Sequence, residues 1–320
     1  MFLARESIRE PDPRKLQRRG IARHVTGRRG KALLGVVSLL LLLFLFSQVN
    51  LAELAAALGR ARPEWLVLGL AATLAASAAR VLRWGVLLHE RGGVRFWKLL
   101  PIQMAGIALS NFTPGKVAEP LKVVFLRKHG FRYSFALLSV AWERLFDLLL
   151  LGLLSLGVVL GLNGETQGLV FLALVGLLVA TFVLHYHLET VAAWLSGFRL
   201  LAFLREFEAH RFQPLTLVGL ALGTVVIWSL DFLAAWAAFV SVGVAADYLF
   251  VASAFSASVL LGVVSFLPGG LGSTEAAFLF FLAATGYPVP QLLAGVVLAR
   301  LVTMGFSSAI GLALLPWAKR

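Results

Sequence analysis

Ser265-Phe-Leu-Pro-Gly-Gly-Leu-Gly-Ser-Thr-Glu275 interrupts one long apolar stretch, and Asn111-Phe-Thr-Pro-Gly-Lys-Val-Ala-Glu119 interrupts another in the same way. Proline lacks a backbone donor and glycine frees the backbone, so a helix ends at each. The apolar arms are 99–112 with 117–126, and 249–266 with 273–284. At about 1.5 Å rise per residue none crosses roughly 30 Å of hydrocarbon comfortably. Each pair reads as a re-entrant helical hairpin, one tipped by Pro114, Gly115 and Lys116, the other by Pro268, Gly269, Gly270 and Gly272. An arginine lies 25 residues beyond each glutamate, Glu119 to Arg144 and Glu275 to Arg300, inside an apolar run.

Working outward, 59% of the 320 residues are apolar and 14% charged. Soluble domains hold about 45–50% and 25%. Apolar runs of spanning length recur from Leu33 to Leu315, so the fold class is all-α and polytopic in a membrane. The chain has no cysteine, which excludes disulfides, thiol catalysis and zinc–thiolate sites. Its net charge of +13 is uneven, with ten Lys and Arg in residues 1–31. Beside a first span at Lys31 to Val49, that tail reads as a cytoplasmic anchor drawn to anionic lipid rather than a nucleic-acid arm.

A short interfacial helix is expected from Asn50, then spans at 65–88, 134–160, 168–186, 214–240 and 291–316. An interfacial helix is expected at 187–213, where Trp194, Leu195, Phe198, Leu201 and Leu204 share a face. Lys and Arg fall in the loops placed inside, and only Arg60 and Arg62 fall outside. That satisfies the positive-inside rule with six full spans and two hairpins, both termini lying in the cytoplasm. The expected domain is a single membrane unit over 32–316, between the tail at 1–31 and a short end at 317–320. Its repeats, about 64–162 and 214–316, run in opposite directions. Inverted repeats with broken helices near the midplane characterise alternating-access transporters.

A charge at the bilayer centre costs about 2.5 kcal/mol or more, so each one present calls for a reason. Arg144 and Arg300 lie near midplane, and Glu143, Arg144 and Asp147 cluster on one helix. Two roles are open for the matched Glu–Arg sets. They pin each hairpin to its following span, or the guanidinium groups, with Lys116, Asn111 and free N–H groups at the tips, hold an anionic headgroup such as a phosphate. Glu119, Glu275, Glu143 and Asp147 then gate or counter that charge. Arg80, Arg83 and Asp231 are secondary candidates for the site; alternatively the two arginines, near the inner end of their span, simply snorkel to the interface. Asp231 lies deep in its own span. No metal site is expected, since His185 and His187 sit at a helix end. No cofactor is expected either, because no nucleotide loop surrounds Pro268.

These residues carry a resemblance. Arg83-Trp, Asn111 with Pro114-Gly and Glu119, Glu143-Arg144 with Asp147, Pro268-Gly-Gly-Leu-Gly with Glu275, and Arg300 together resemble the lysylphosphatidylglycerol synthase transmembrane-region family over about residues 30–316. The resemblance implies a multi-pass protein of the bacterial or archaeal inner membrane. In bifunctional members this region moves an aminoacylated phospholipid between leaflets, and a soluble aminoacyl-transferase domain follows. Here the sequence ends at Arg320, just past the last span, so the expectation is a stand-alone translocase and not an enzyme. Ala118 and Lys122 stand where members often carry Gly and Arg. The expected partners are a lipid with an anionic or polar headgroup and a separately encoded lipid-modifying enzyme, with no nucleic acid. The competing reading is an accessory factor or enzyme of polyprenoid or hopanoid-type lipid processing, with Glu143 and Asp147 as acid and base.

Overall fold

A computed structural model of the chain describes residues 51–113, 119–159 and 212–318, with Val36, Leu39, Leu40, Leu43, Gly176 and Val179 as separate helical positions. The basic tail, the expected spans at 31–49 and 168–186, most of the interfacial stretch 187–213, and the tip Pro114-Gly115-Lys116 lie outside the described residues.

After α1 (Leu51–Gly59) come α2 (Pro63–His89) and α3 (Phe96–Asn111), then a 3₁₀ turn (Glu119–Leu121), α4 (Lys122–Leu126) and α5 (Tyr133–Val159). The second unit holds α6 (Pro214–Ser241), α7 (Tyr248–Val264), α8 (Ser273–Leu282), and α9 (Val289–Arg300), which continues through a π-helical turn (Leu301–Gly305) into α10 (Phe306–Ala318). Helices α2 and α6 both begin on a proline, where the missing N–H has no partner to lose. Asp247 caps α7 by accepting the Phe250 N–H at 2.9 Å. Helix α2, helix α6 and the α9–α10 rod are each long and apolar enough to cross a bilayer. At 27 residues α5 has that length too, and it carries the three central charges. The chain is an all-α polytopic membrane protein; α7 and α8 meet at the Pro268–Gly272 break, and α3 ends at Asn111, before the first break.

The two units are inverted. Arg62 N–H donates to Ser241 O at 2.9 Å, and Gln213 N–H donates to Glu90 Oε1 at 2.8 Å. The start of α2 therefore meets the end of α6 and the reverse, so the two first spans run antiparallel. Two further helix pairs form across the pseudo-two-fold. Helix α3 of the first hairpin packs on α10 of unit two, and α7 of the second hairpin packs on α5 of unit one. Within unit two, α9 packs on α6 and α8 on α7.

Lipid is as apolar as leucine, so these contacts depend on close approach and not on the hydrophobic effect. Small residues supply it. A Cβ on Gly69 would lie 3.3 Å from Ala234 O, and a Cβ on Gly311 would lie 2.7 Å from Ala108 Cβ and collide with Met104 O. Gly311→Ala is therefore expected to pry α10 off α3 and to cost about 1–3 kcal/mol, read as a lower midpoint in thermal melting of the detergent-solubilised protein. Two large apolar clusters form, one around α5–α9 and one around α2–α6, beside a small one at Ala72, Ala234 and Val302. Asp147 separates Phe146 of the second cluster from Leu150 of the first, and Thr224 separates Ala221 from Trp228 likewise. The ionic layer lies in that seam.

Candidate functional site

Arg144 stands eleven residues into α5, roughly 16 Å along its axis and so near midplane. From there the charges of unit one close into a ring. Arg144 reaches Glu119 at 3.1 Å and Asp147 at 2.8 Å. Asp147 pairs with Arg83 at 2.6 Å, and Arg83 reaches Glu143 at 3.4 Å. Glu143 holds Lys122 at 2.7 Å, and Lys122 returns to Glu119 at 3.5 Å. Three cations alternate with three carboxylates, and two helices, the 3₁₀ turn and α4 are fastened together. Only Arg144 has an open side, its side chain 36% exposed against 6% or less for the other five.

Neutral residues complete the ring. Lys122 Nζ donates to Gln103 Oε1 at 2.8 Å and lies 4.4 Å from the Trp84 ring centre, a cation–π contact. Gly106 leaves the space its stem occupies. From α6, Thr224 accepts from Arg83 at 2.8 Å and Trp228 Nε1 donates to Asp147 at 2.9 Å, which ties the ring to unit two. Gly223 opens room for the Arg83 stem.

Unit two is sparer. Arg300 Nε donates to Glu275 Oε1 at 2.6 Å, and its Nη2 donates to Gly269 O at 2.7 Å. One side chain thus pins the second hairpin to its following span and holds the hairpin tip. At that tip Gly269 has φ 59°, and a Cβ there would meet Asn111 O at 2.6 Å. The corner of hairpin two therefore rests on the end of the first arm of hairpin one. Asn111 itself donates to Ser308 at 2.9 Å. On the axis between the units, Arg80 pairs with Asp231. These two are 151 residues apart, the interval that also separates Pro63 from Pro214, so they are equivalent positions of the two repeats facing each other.

A cavity of about 100 Å³ opens at this junction. Arg80, Arg144 and Arg300 line it with Glu119, Asp147 and Asp231. Thr73, Ser110, Asn111, Thr303 and Ser307 add polar walls, and Ile107, Ile227, Phe255, Val259 and Met304 complete it. Both units contribute. The Thr73 hydroxyl and the Arg144 Nε are buried there without a hydrogen-bond partner, two donors left for something else to satisfy. A space of that order suits a small polar group such as a phosphate.

Residues 32–311 match the family described as "Lysylphosphatidylglycerol synthase TM region". The chain belongs to that family. Among its relatives is a UPF0104 membrane protein of Methanothermobacter thermautotrophicus, 24% identical, with 89% of this chain and 93% of the relative covered. Another is the UPF0104 membrane protein PH1989 of Pyrococcus horikoshii, 23% identical over 72% of this chain and 80% of the relative.

Within this lysylphosphatidylglycerol synthase transmembrane region, the structure joins Glu119 to Arg144 and Glu275 to Arg300, as the matched spacing suggests. Arg83 does not snorkel. It is 3% exposed and turned inward to two carboxylates, since Asp147 and the gap above Gly223 lie opposite. Arg80 likewise turns to Asp231. Three N–H groups at the tip of hairpin two are turned to partners within the hairpin. Those of Gly270, Leu271 and Gly272 bond to Leu267 O, Pro268 O and Glu275 Oε2, and none of the tip residues lines the cavity. Glu143 is buried away from the cavity, against Lys122 and Arg83. Lys116 lies outside the described residues. The role of Lys122 went unseen although its charge inside a short apolar arm was a signal. Gln103, Thr224, Trp228 and Thr73 gave no such signal, because neutral polar residues are ordinary in membrane helices.

Proposed function

We propose that this protein moves a polar or phosphate-bearing lipid between the leaflets of the cytoplasmic membrane, with both termini in the cytoplasm. Arg144 and Arg300 contact the headgroup, Arg80 stays on Asp231, and the carboxylates hold the arginines apart until it arrives. The observation that carries this reading is the cavity at the repeat junction, lined by arginines from both units. Guanidinium forks suit a phosphate in geometry and charge. The exchanged packing of α3 on α10 and α7 on α5 supports it as well, because rocking one such pair against the other exposes the junction to either side. Membership of a family described by lysylphosphatidylglycerol synthesis agrees with a lipid-related role.

The rival, acid–base lipid processing through Glu143 and Asp147, fits less well. Glu143 does not reach the cavity, and Asp147 is already held by Arg83, Arg144 and Trp228. The test is reconstitution of the purified protein into vesicles that carry a tail-labelled fluorescent phosphatidylglycerol, followed by a membrane-impermeant quencher. Label that becomes accessible from the inner leaflet faster than in protein-free vesicles is the expected result. Equal rates with and without protein would set the reading aside.

A further inference from the structure

Five cations, Arg80, Arg83, Lys122, Arg144 and Arg300, meet five carboxylates, Glu119, Glu143, Asp147, Asp231 and Glu275, at and around the cavity. The described site is formally neutral. An anionic phosphodiester that enters it leaves one negative charge uncompensated in a small, low-dielectric space. Such charge is neutralised, not endured, because a buried carboxylate that loses its cation takes up a proton.

The inequality of the repeats decides which carboxylate does so. Counting from Glu119 and Glu275, the third residue is Lys122 in unit one and Phe278 in unit two. The residues preceding the two arginines are Glu143 and Ala299, and those three beyond them are Asp147 and Thr303. Arg83 has Ala234 as its equivalent at the interval that pairs Arg80 with Asp231. When a phosphate draws on Arg144, Glu119 keeps Lys122, and Asp147 keeps Arg83 and Trp228. When it draws on Arg300, Glu275 keeps, among the described residues, the Gly272 N–H, a neutral donor at 2.6 Å. Among the described residues Arg300 is its one cationic partner. Among the described residues nothing on the neighbouring elements replaces it. Helix α7 holds no charged residue and has its one titratable group, Tyr248, at the far end on Ser229 O. Besides Glu275, helix α8 holds no charged residue, and Arg300 is the charged residue of α9. Across the cavity stand Arg80, Arg144, Glu119, Asp147 and Asp231, each engaged as described above.

We propose that Glu275 is a proton-binding site and that the protein carries one proton with each anionic lipid. This rests on the translocase reading and adds the co-transported ion. A proton from water on the side of origin adds to a Glu275 carboxylate oxygen as Arg300 turns to the phosphate. When the lipid leaves on the other side, Arg300 returns and the proton is released to water there. The cycle moves no net charge.

The experiment uses the full chain in vesicles of phosphatidylcholine and phosphatidylglycerol, with tail-labelled phosphatidylglycerol and an enclosed pH dye. Its headgroup has no amine, so it brings no cation of its own. With wild type, one proton is expected to enter per lipid moved. The steady-state ratio of label between leaflets shifts about tenfold per unit of imposed pH gradient, and a potassium diffusion potential leaves it unchanged. Glu275→Gln abolishes the pH-driven shift, and Glu275→Asp, which keeps a titratable group, retains it. Label that moves with no proton uptake and no response to the gradient overturns this proposal and leaves the translocase intact. A shift undiminished in Glu275→Gln removes the assignment to Glu275. Label that does not move at all in wild type overturns the translocase reading itself, and this inference with it. If Glu275→Gln fails to fold, the wild-type proton-to-lipid ratio decides alone.

Discussion

Arg144→Ala is expected to lower lipid translocation by about ten- to a hundredfold while the protein still folds and inserts. The size follows from the loss of charge-assisted hydrogen bonds to the headgroup, each about 1.5–3 kcal/mol, at a tenfold change in rate per roughly 1.4 kcal/mol. The fold survives because of the ring. Glu119 still faces Lys122 at 3.5 Å, and Asp147 still holds Arg83 at 2.6 Å and Trp228 at 2.9 Å, so no buried carboxylate is stranded. Arg144 is the ring member with an open side, and its Nε lacks a partner in the cavity. Its removal therefore subtracts a ligand contact more than a structural one. Initial rates in vesicles, set beside melting of the same preparation in detergent, separate the two effects. Arg300→Ala should lose transport to a similar degree and melt lower as well, since Arg300 also secures Glu275 and the Gly269 corner. A double variant that translocates at the full rate would take the headgroup away from both arginines.

Lys122→Met has the opposite signature, a collapse of stability before any question of transport. Lys122 is fully buried, with its ammonium on Glu143, Gln103 and the face of Trp84. Removing one member of a buried pair costs about 3–5 kcal/mol, because the other is left charged and unsolvated. Glu143 would retain only Arg83 at 3.4 Å. The double change Lys122→Met with Glu143→Gln removes both charges and should recover most of the loss. Thermal melting of the four proteins in one detergent measures the coupling. A double variant no more stable than Lys122→Met alone would mean that the pair is not the unit of stability.

Much of the architecture is legible because a bilayer makes deviations rare. A Pro-Gly break or an ionised side chain in an apolar run is costly there, so each one found carries information. The two hairpins, the opposed direction of the repeats and the Glu119–Arg144 and Glu275–Arg300 matches all follow from where such breaks and charges recur. The closure of the ring does not. Lys122 and Glu143 are 21 residues apart and Arg83 and Asp147 are 64, and no periodicity links such positions. The inward turn of Arg83 is hidden for the same reason, since snorkelling and pairing look alike along a single helix. The pairing of Arg80 with Asp231 shows only once α2 and α6 lie antiparallel.

Residue order alone determined that this chain lives in a membrane, that it is built of two inverted halves with broken helices, and which acidic and basic residues lie deep. Tertiary structure decided which of those charges face each other. It also decided that α3 and α7 cross to the opposite unit, and that one arginine of the ring is left open to a shared cavity. The physical reason is reach. A helix break or a buried charge is a local cost that the chain shows in place, whereas an ion pair exists only where packing brings two distant side chains within about 4 Å.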